Sequence, residues 1–317
     1  MSIIRESEPQ IIASVRSPRF ARFATAVLIY LVLVILWGAW VRITGSGAGC
    51  GNHWPDCNGQ VIPWEPTQQT LIEFTHRLSS GLTLPLVLIM LVWAWRSFPK
   101  GHGVRWACVG TLGFLLSESA LGAGLVKFEL VADNTSVARA ITASLHLINT
   151  FTLAGFCALA AWWAQRGYSP NWQLRSRASL VLLPGLAALL LASMSGAITA
   201  LGDTLFPTTL GAHFAAHPAE THFLVQLRIV HPVLATVAAL YLIFVLPGLS
   251  ESHPQLRGGL RLSLLLGAQL LLGVINVLLA APGWMQLVHL GMALLVWLAC
   301  LLFWVQSQEL PSTSEMA

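Results

Sequence analysis

The sequence predicts an all-α integral membrane protein of eight transmembrane helices, arranged as two tandem, pseudo-symmetric four-helix bundles. Three observations predict it. Of the 317 residues, 56% are hydrophobic and only 9% are charged, against roughly 25% charged in a soluble domain. Such a chain cannot cover itself with a water-facing surface, and lipid is the solvent that suits it. Eight stretches are apolar enough, and near enough to the roughly 20 residues a helix needs, to cross a bilayer: 23–41, 74–95, 106–126, 140–163, 179–200, 223–245, 262–281 and 284–304. They are apolar on all sides, whereas a barrel strand alternates apolar and polar residues. Finally, polar features of the first four stretches return in the last four, which makes a parallel repeat about an axis normal to the membrane.

Basic residues set the orientation. Arg42, Arg77, Lys127, Arg139 and Arg228 fall outside or at outer helix ends, and the remaining 12 of the 17 basic residues fall on the side of the N-terminus. Both termini are therefore expected in the cytoplasm. The pI near 9.0 is a topology signal, and no basic run interleaved with aromatics points to nucleic acid. Segment 1–22 has no apolar core followed by small residues, so it does not read as a cleavable signal; its Glu6 and Glu8 do not suit an organellar transit peptide. A bacterial plasma membrane is the expected address. The organisation expected is a cytoplasmic segment 1–22, a first half 23–165, a linker 166–178, a second half 179–305 and a cytoplasmic tail 306–317. Segment 247–261 reads as a second cytoplasmic connection, and 42–72 and 201–221 as equivalent outer loops.

Each even-numbered stretch carries a histidine in its first turns: His76, His146, His231 and His289. The third and seventh stretches also match, Glu118-Ser119-Ala120-Leu121-Gly122 against Gln269-Leu270-Leu271-Leu272-Gly273. Gly122, Gly124 and Gly273 would let helices approach closely. A histidine in a membrane helix is costly and usually functional. Four at equivalent positions and one depth suit axial ligation of heme iron, His76 with His146 and His231 with His289. A zinc site would need three or four ligands on one atom, which two separate pairs supply less well. Arg77 and Arg228 are candidate contacts for heme propionates at the outer interface, beside the plainer reading of snorkelling side chains.

The halves are unequal. Glu73 stands three residues before His76, on the same helix face; the second half has Arg228 in that place. A carboxylate there could relay protons or stabilise a cationic intermediate. Glu118 is structural or proton-handling, and its counterpart Gln269 is neutral. Cys50 and Cys57, in the first outer loop, read as a disulfide on the oxidising side, either a loop staple or a redox-active dithiol. Cys108, Cys157 and Cys300 are intramembrane and read as small apolar residues. His213 and His217 have an i, i+4 spacing that permits metal binding on a helix. With His222 they read better as a solvated loop, since no carboxylate or cysteine completes a site.

These residues also carry a resemblance. The run Gly38-Ala39-Trp40-Val41-Arg42-Ile43-Thr44-Gly45-Ser46-Gly47, the two loop cysteines, and Glu73-Phe74-Thr75-His76-Arg77 resemble the signature of the heme A synthase family of bacterial type. The resemblance extends from about residue 24 to 305, resting in the second half mainly on His231, Pro232 and His289. It implies oxidation of the ring D methyl of heme O to a formyl group by successive hydroxylations, the geminal diol losing water, to give heme A for cytochrome oxidase. It implies that His76 and His146 flank the substrate heme O and that His231 and His289 ligate a heme b cofactor. Glu73 matches the family's essential carboxylate, and Cys50 and Cys57 match a loop pair associated with electron or heme transfer. Some members carry a second cysteine pair; loop 201–221 has none, which does not suit a mechanism using two disulfides.

The partners implied are a heme O synthase, cytochrome oxidase assembly proteins and an electron donor or acceptor of unspecified identity; a homo-oligomer is compatible. The rival reading is a di-heme b-type electron carrier acting with quinone. It would want hemes at different depths, and it gives Glu73 and the cysteine loop no task.

Overall fold

The computed structural model describes residues 15–167, 172, 174–207, 222–252, 256 and 258–308. Among these, eight helices are long and apolar enough to cross a membrane: α1 (Pro18–Ile43), α2 (Gln68–Ser97), α3 (Gly103–Lys127), α4 (Val137–Arg166), α5 (Arg177–Leu205), α6 (Phe223–Ser252), α7 (Gly259–Leu278) and α8 (Gly283–Gln308). The chain is a multi-pass membrane protein.

Most helices outrun the apolar stretch that predicts them, because polar capping residues start them early. Thr67, Ser136 and Ser176 each accept the backbone N–H three residues on, which satisfies an orphan donor at the N-termini of α2, α4 and α5. Pro18 opens α1 and Gly167 closes α4 with a φ of +76°.

Three connections differ from expectation. The one expected at 247–261 is shorter, because α6 runs through Pro247 to Ser252. Proline inside a membrane helix is tolerated where neighbours compensate the lost hydrogen bond; at Pro247 the freed Ile243 carbonyl accepts Ser263 Oγ at 3.2 Å, and Pro85 and Pro184 also lie inside helices. The outer loop expected from 201 starts later, since α5 continues to Leu205. In contrast α7 stops at Leu278, short of the expected 281; Ala280 and Ala281 turn to positive φ before Pro282.

Packing makes two rings. In the first, α1 packs on α2 and α4, and α3 on α2 and α4; in the second, α5 packs on α6 and α8, and α7 on α6 and α8. The rings meet through α1, α4, α5 and α8. Accordingly α4 is the most enclosed span, with 67% of its apolar window buried, and α8 follows with 44%. At this seam Trp297 Nε1 donates to the Phe151 carbonyl at 2.8 Å, and Gly155 lies so close to Leu301 that a Cβ would come within 2.9 Å of it. At the C-terminal end of α1 Arg42 crosses the seam to the Ala200 carbonyl (2.6 Å), Thr204 Oγ1 (2.7 Å) and Gln286 Oε1 (2.9 Å). Elsewhere the helices turn large apolar side chains outward, among them Leu33, Leu82, Phe244 and Leu264, as a lipid-facing surface requires.

Candidate functional site

His76, His146, His231 and His289 lie in the first three turns of α2, α4, α6 and α8. Each points at a glycine of the preceding odd-numbered helix. A Cβ added to Gly38 would stand 2.8 Å from His76 Cε1, and one on Gly196 3.0 Å from His231 Cε1. The corresponding distances are 3.2 Å from Gly273 to His289 and 3.8 Å from Gly122 to His146. At Gly38, Gly196 and Gly273 the glycine supplies room that the imidazole needs beside a packed helix, whereas at Gly122 a Cβ would make an ordinary contact. Of the four, Gly122 and Gly273 stand out in the sequence as small residues for close helix approach, Gly38 appears there only within the family-like run, and Gly196 was passed over.

In the second half the two imidazoles face each other, ring centres 6.2 Å apart and planes at 85°. Two metal–imidazole bonds of about 2 Å each put ring centres roughly that far apart. His231 Nδ1–H donates to the Ala192 carbonyl at 2.9 Å, which leaves Nε2 as the nitrogen available to a ligand. The amide of Gln269 lies against His289, Nε2 donating to its carbonyl at 3.2 Å. Among the described residues His289 Nδ1 is buried without a hydrogen-bond partner, as is His76 Nδ1.

In the first half the carboxylate of Glu118 stands where Gln269 stands in the second. Its Oε2 lies 3.3 Å from His146 Nδ1 and accepts Asn149 Nδ2 at 2.6 Å, while Thr150 donates to Oε1. Asn149 is bound in turn by Ser117 Oγ at 2.5 Å. A carboxylate on the Nδ1 of a ligating imidazole sets its tautomer and ring orientation. Sequence reasoning aligned Glu118 with Gln269 and left its role open; Asn149 and Thr150, one turn beyond His146, were missed although polar residues in an apolar stretch are a readable signal.

Glu73 is buried, with 3% of its surface exposed. Its Oε2 accepts the Cys50 backbone N–H at 2.8 Å, and Oε1 accepts Arg77 Nε at 3.1 Å and Arg77 Nη2. Arg77 Nη1 reaches the carbonyls of His53 (2.6 Å) and Asp56 (2.7 Å). Cys50 and Cys57 form a disulfide, Cα atoms 4.4 Å apart and both side chains buried. The loop can lie this close only because residue 49 is glycine: a Cβ there would meet the Gln69 backbone at 2.5 Å. Disulfide, loop backbone, arginine and acid are thus one bonded unit seated one turn before His76.

Arg228 occupies the position equivalent to Glu73. It pairs through Nε with Asp203 Oδ1 at 2.8 Å, and Nη2 donates to the carbonyls of Gly202 (3.0 Å) and Phe206 (2.6 Å). Its Nη1 is buried with no hydrogen-bond partner among the described residues. Asp203 was missed because it falls at the start of what reads as a loop. His222 is a helix cap, its Nδ1 accepting the Leu224 N–H, and its ring is stacked on Phe206 at 4.9 Å and tilted against Phe223 at 4.6 Å. His213 and His217 lie outside the described residues. Among the described residues no group of three or more His, Cys, Asp or Glu could hold a metal ion. Cys108, Cys157 and Cys300 are free and buried.

The pairs therefore fit heme better than a closed ion site: two histidines per group, buried unpartnered ring nitrogens, and glycines clearing space beside three of the four rings. Comparison with known proteins gives the same direction. A protein from Thermus thermophilus named protoheme IX farnesyltransferase is 49% identical over 285 residues, 88% of this chain but 47% of its own length. Heme A synthases are 44% identical over 98 residues in Shouchella clausii and 41% over 104 residues in Geobacillus kaustophilus, each match about a third of both chains. The chain spans about half the length of the Thermus protein and aligns with about a third of those heme A synthases. The family described as cytochrome oxidase assembly protein matches residues 21–301. That match takes in six of the eight spans whole, most of the first and last, and every histidine of the two pairs, and the chain belongs to this COX15-CtaA, or heme A synthase, family.

Proposed function

We propose that the chain is a heme-dependent oxidoreductase that converts the ring D methyl of heme O to a formyl group by successive hydroxylations, yielding heme A for cytochrome oxidase. The observation that carries the reading is the inequality of two otherwise matching histidine pairs. One has a buried carboxylate tied to a disulfide loop; the other has an arginine in the same place. Matching pairs alone suit an electron carrier, whereas a reacting centre beside a cofactor centre needs this difference.

In this reading His76 and His146, in the half 23–165, hold the substrate heme O. His231 and His289, in the half 179–305, hold heme b. When bound, heme iron supplies the redox chemistry. The chain's own residues do the rest. Glu73 accepts or returns a proton beside the substrate, and Arg77 with the Cys50 N–H keeps its carboxylate in one orientation. Glu118 steadies His146. Arg228 has a buried Nη1 to offer a heme propionate; Arg77 has every guanidinium nitrogen engaged by Glu73 and the loop. Both termini lie in the cytoplasm of a bacterial cell, with the histidine ends of the helices facing outward. A heme O synthase is the supplier and the oxidase assembly machinery the recipient.

The name of the Thermus relatives favours a second reading, transfer of a farnesyl group to protoheme. More than half of each such protein lies outside the match, and the match leaves open which part of those longer chains the name describes. One experiment separates the readings. The purified chain is loaded with heme O and reductant under air, and its hemes are extracted and identified by chromatography and mass. Heme A or hydroxylated heme O is expected. Unchanged heme O beside heme b would sink the proposal in favour of the electron carrier, and farnesylation of added protoheme would favour the transferase.

A further inference from the structure

Among the described residues, one of the four imidazoles has an anion against its ring nitrogen. Glu118 Oε2 lies 3.3 Å from His146 Nδ1, and no hydrogen bond from another residue reaches that nitrogen. The other three face neutral groups or none. His231 Nδ1 stands against the Ala192 carbonyl at 2.9 Å and Ser195 Oγ at 3.3 Å. Gln269, at the repeat position of Glu118, brings its amide nitrogen to 3.3 Å from the His289 ring. The Nδ1 atoms of His289 and His76 have no hydrogen-bond partner.

The charge of Glu118 is also unbalanced. Glu73 meets Arg77 and Asp203 meets Arg228, whereas among the described residues no lysine or arginine pairs with Glu118. Neutral donors from α4 hold it instead: Asn149 Nδ2 at 2.6 Å and the Thr150 hydroxyl. Asn149 is fixed in turn, its Nδ2 also reaching the Phe114 carbonyl at 2.9 Å and its Oδ1 accepting Ser117 Oγ at 2.5 Å. Such donors orient a carboxylate without cancelling its charge, and a charge away from water acts strongly on its neighbours. The two halves thus differ by one negative charge behind an imidazole.

We propose that Glu118 is a positioning residue that acts through His146 to give the first centre a lower reduction potential than the second. The proposal rests on the reading of the two histidine pairs as heme ligands. An anion at the far nitrogen of a ligating imidazole makes it a stronger electron donor. That favours ferric over ferrous iron, and hydrogen bonding behind the ligands is one of the levers by which a protein sets a heme potential. Of two hemes of similar structure, the one between His76 and His146 is then the more readily oxidised. Glu73 adds little to this difference, because Arg77 balances its charge.

The test is a potentiometric titration of the purified full chain loaded with heme O, with heme content measured alongside. The wild type should show two midpoints. Glu118→Gln keeps the volume and removes the charge. It should shift the lower ferric–ferrous equilibrium about tenfold toward ferrous, a rise of about 59 mV, and leave the upper midpoint in place. Gln269→Glu should lower the upper midpoint alone. A role confined to holding the ring would alter heme retention and leave the potentials unmoved. Two bound hemes with unchanged midpoints in Glu118→Gln would overturn the proposal, as would equal shifts of both. If Glu118→Gln loses a heme, Gln269→Glu decides, and an unmoved upper midpoint there overturns the proposal. One heme per wild-type chain, lost in His289→Ala, would remove the reading of His76 and His146 as a heme pair and this proposal with it.

Discussion

At the scale of single residues, the proposed chemistry hangs on how Glu73 is held. A buried carboxylate is costly unless it is paired and hydrogen-bonded, and Glu73 has both, from Arg77 and the Cys50 N–H. Replacing it by Gln keeps the volume and removes the charge. Glu73→Gln should retain both hemes in the optical spectrum and form no formyl product; heme A at the normal rate would refute its role. Breaking the pair from the other side is worse for the fold, because it leaves a buried charge alone. Arg77→Met should cost about 3 kcal/mol of stability, measured as a fall in the denaturation midpoint against Glu73→Gln.

A residue far from this site has a different use. His102, between α2 and α3, is fully buried, stacks on Phe98 at 4.7 Å and accepts the Val104 N–H. Burial first, and the Arg105 charge second, hold its pKa below the ordinary 6.5. The folded protein therefore keeps it neutral where the unfolded chain takes up a proton. Stability is full above 6.5 and declines as pH falls below it, by at most about 1.4 kcal/mol per pH unit. His102→Phe should flatten that decline in a series of melting curves from neutral pH downward; an unchanged slope would assign the decline to other groups.

At the scale of elements, the close approach of odd to even helices decides which imidazole is disturbed. Gly38→Ala would press a methyl group to 2.8 Å from His76, and Gly196→Ala to 3.0 Å from His231. The first should reduce binding of added heme O and leave resident heme b in place. The second should deplete heme b. A heme-to-protein ratio for each variant checks this, and identical losses in both would argue against two separate pairs. The loop between α1 and α2 is the other element under load. Its disulfide closes seven residues of sequence separation, which restrains the unfolded chain by about 2.5 kcal/mol. Cys50→Ser with Cys57→Ser should lower stability by that order and slow formyl formation, since the Cys50 N–H no longer has a fixed position on Glu73. Full activity in that double variant would reduce the bridge to a staple.

At the scale of the whole molecule, the apolar composition and the eight long apolar stretches were enough to read eight spans from the sequence. Period and length suffice for that, because a helix in lipid satisfies its own backbone and needs no partner to be recognised. The four histidines, Glu73 and the cysteine pair were legible for a related reason: a polar group in or beside a membrane helix stands out against its neighbours. The repeat even placed Glu118 opposite Gln269, and both do lie against the histidine of the next helix. What stayed hidden depends on approach between distant segments. Arg42 reaches across 158 residues to Ala200, Arg228 finds Asp203 in what reads as a loop, and Glu73 meets a backbone N–H that has no side-chain signature. The sequence by itself thus determined the number of spans, the paired histidines and the asymmetry of the acid. Only the tertiary structure decided which atoms meet: the glycine before each imidazole, the carboxylate behind His146 and the loop that holds Glu73. Hydrophobic spacing is local and needs only the chain, whereas a hydrogen bond or a cleared space is set by how two rings of helices come together.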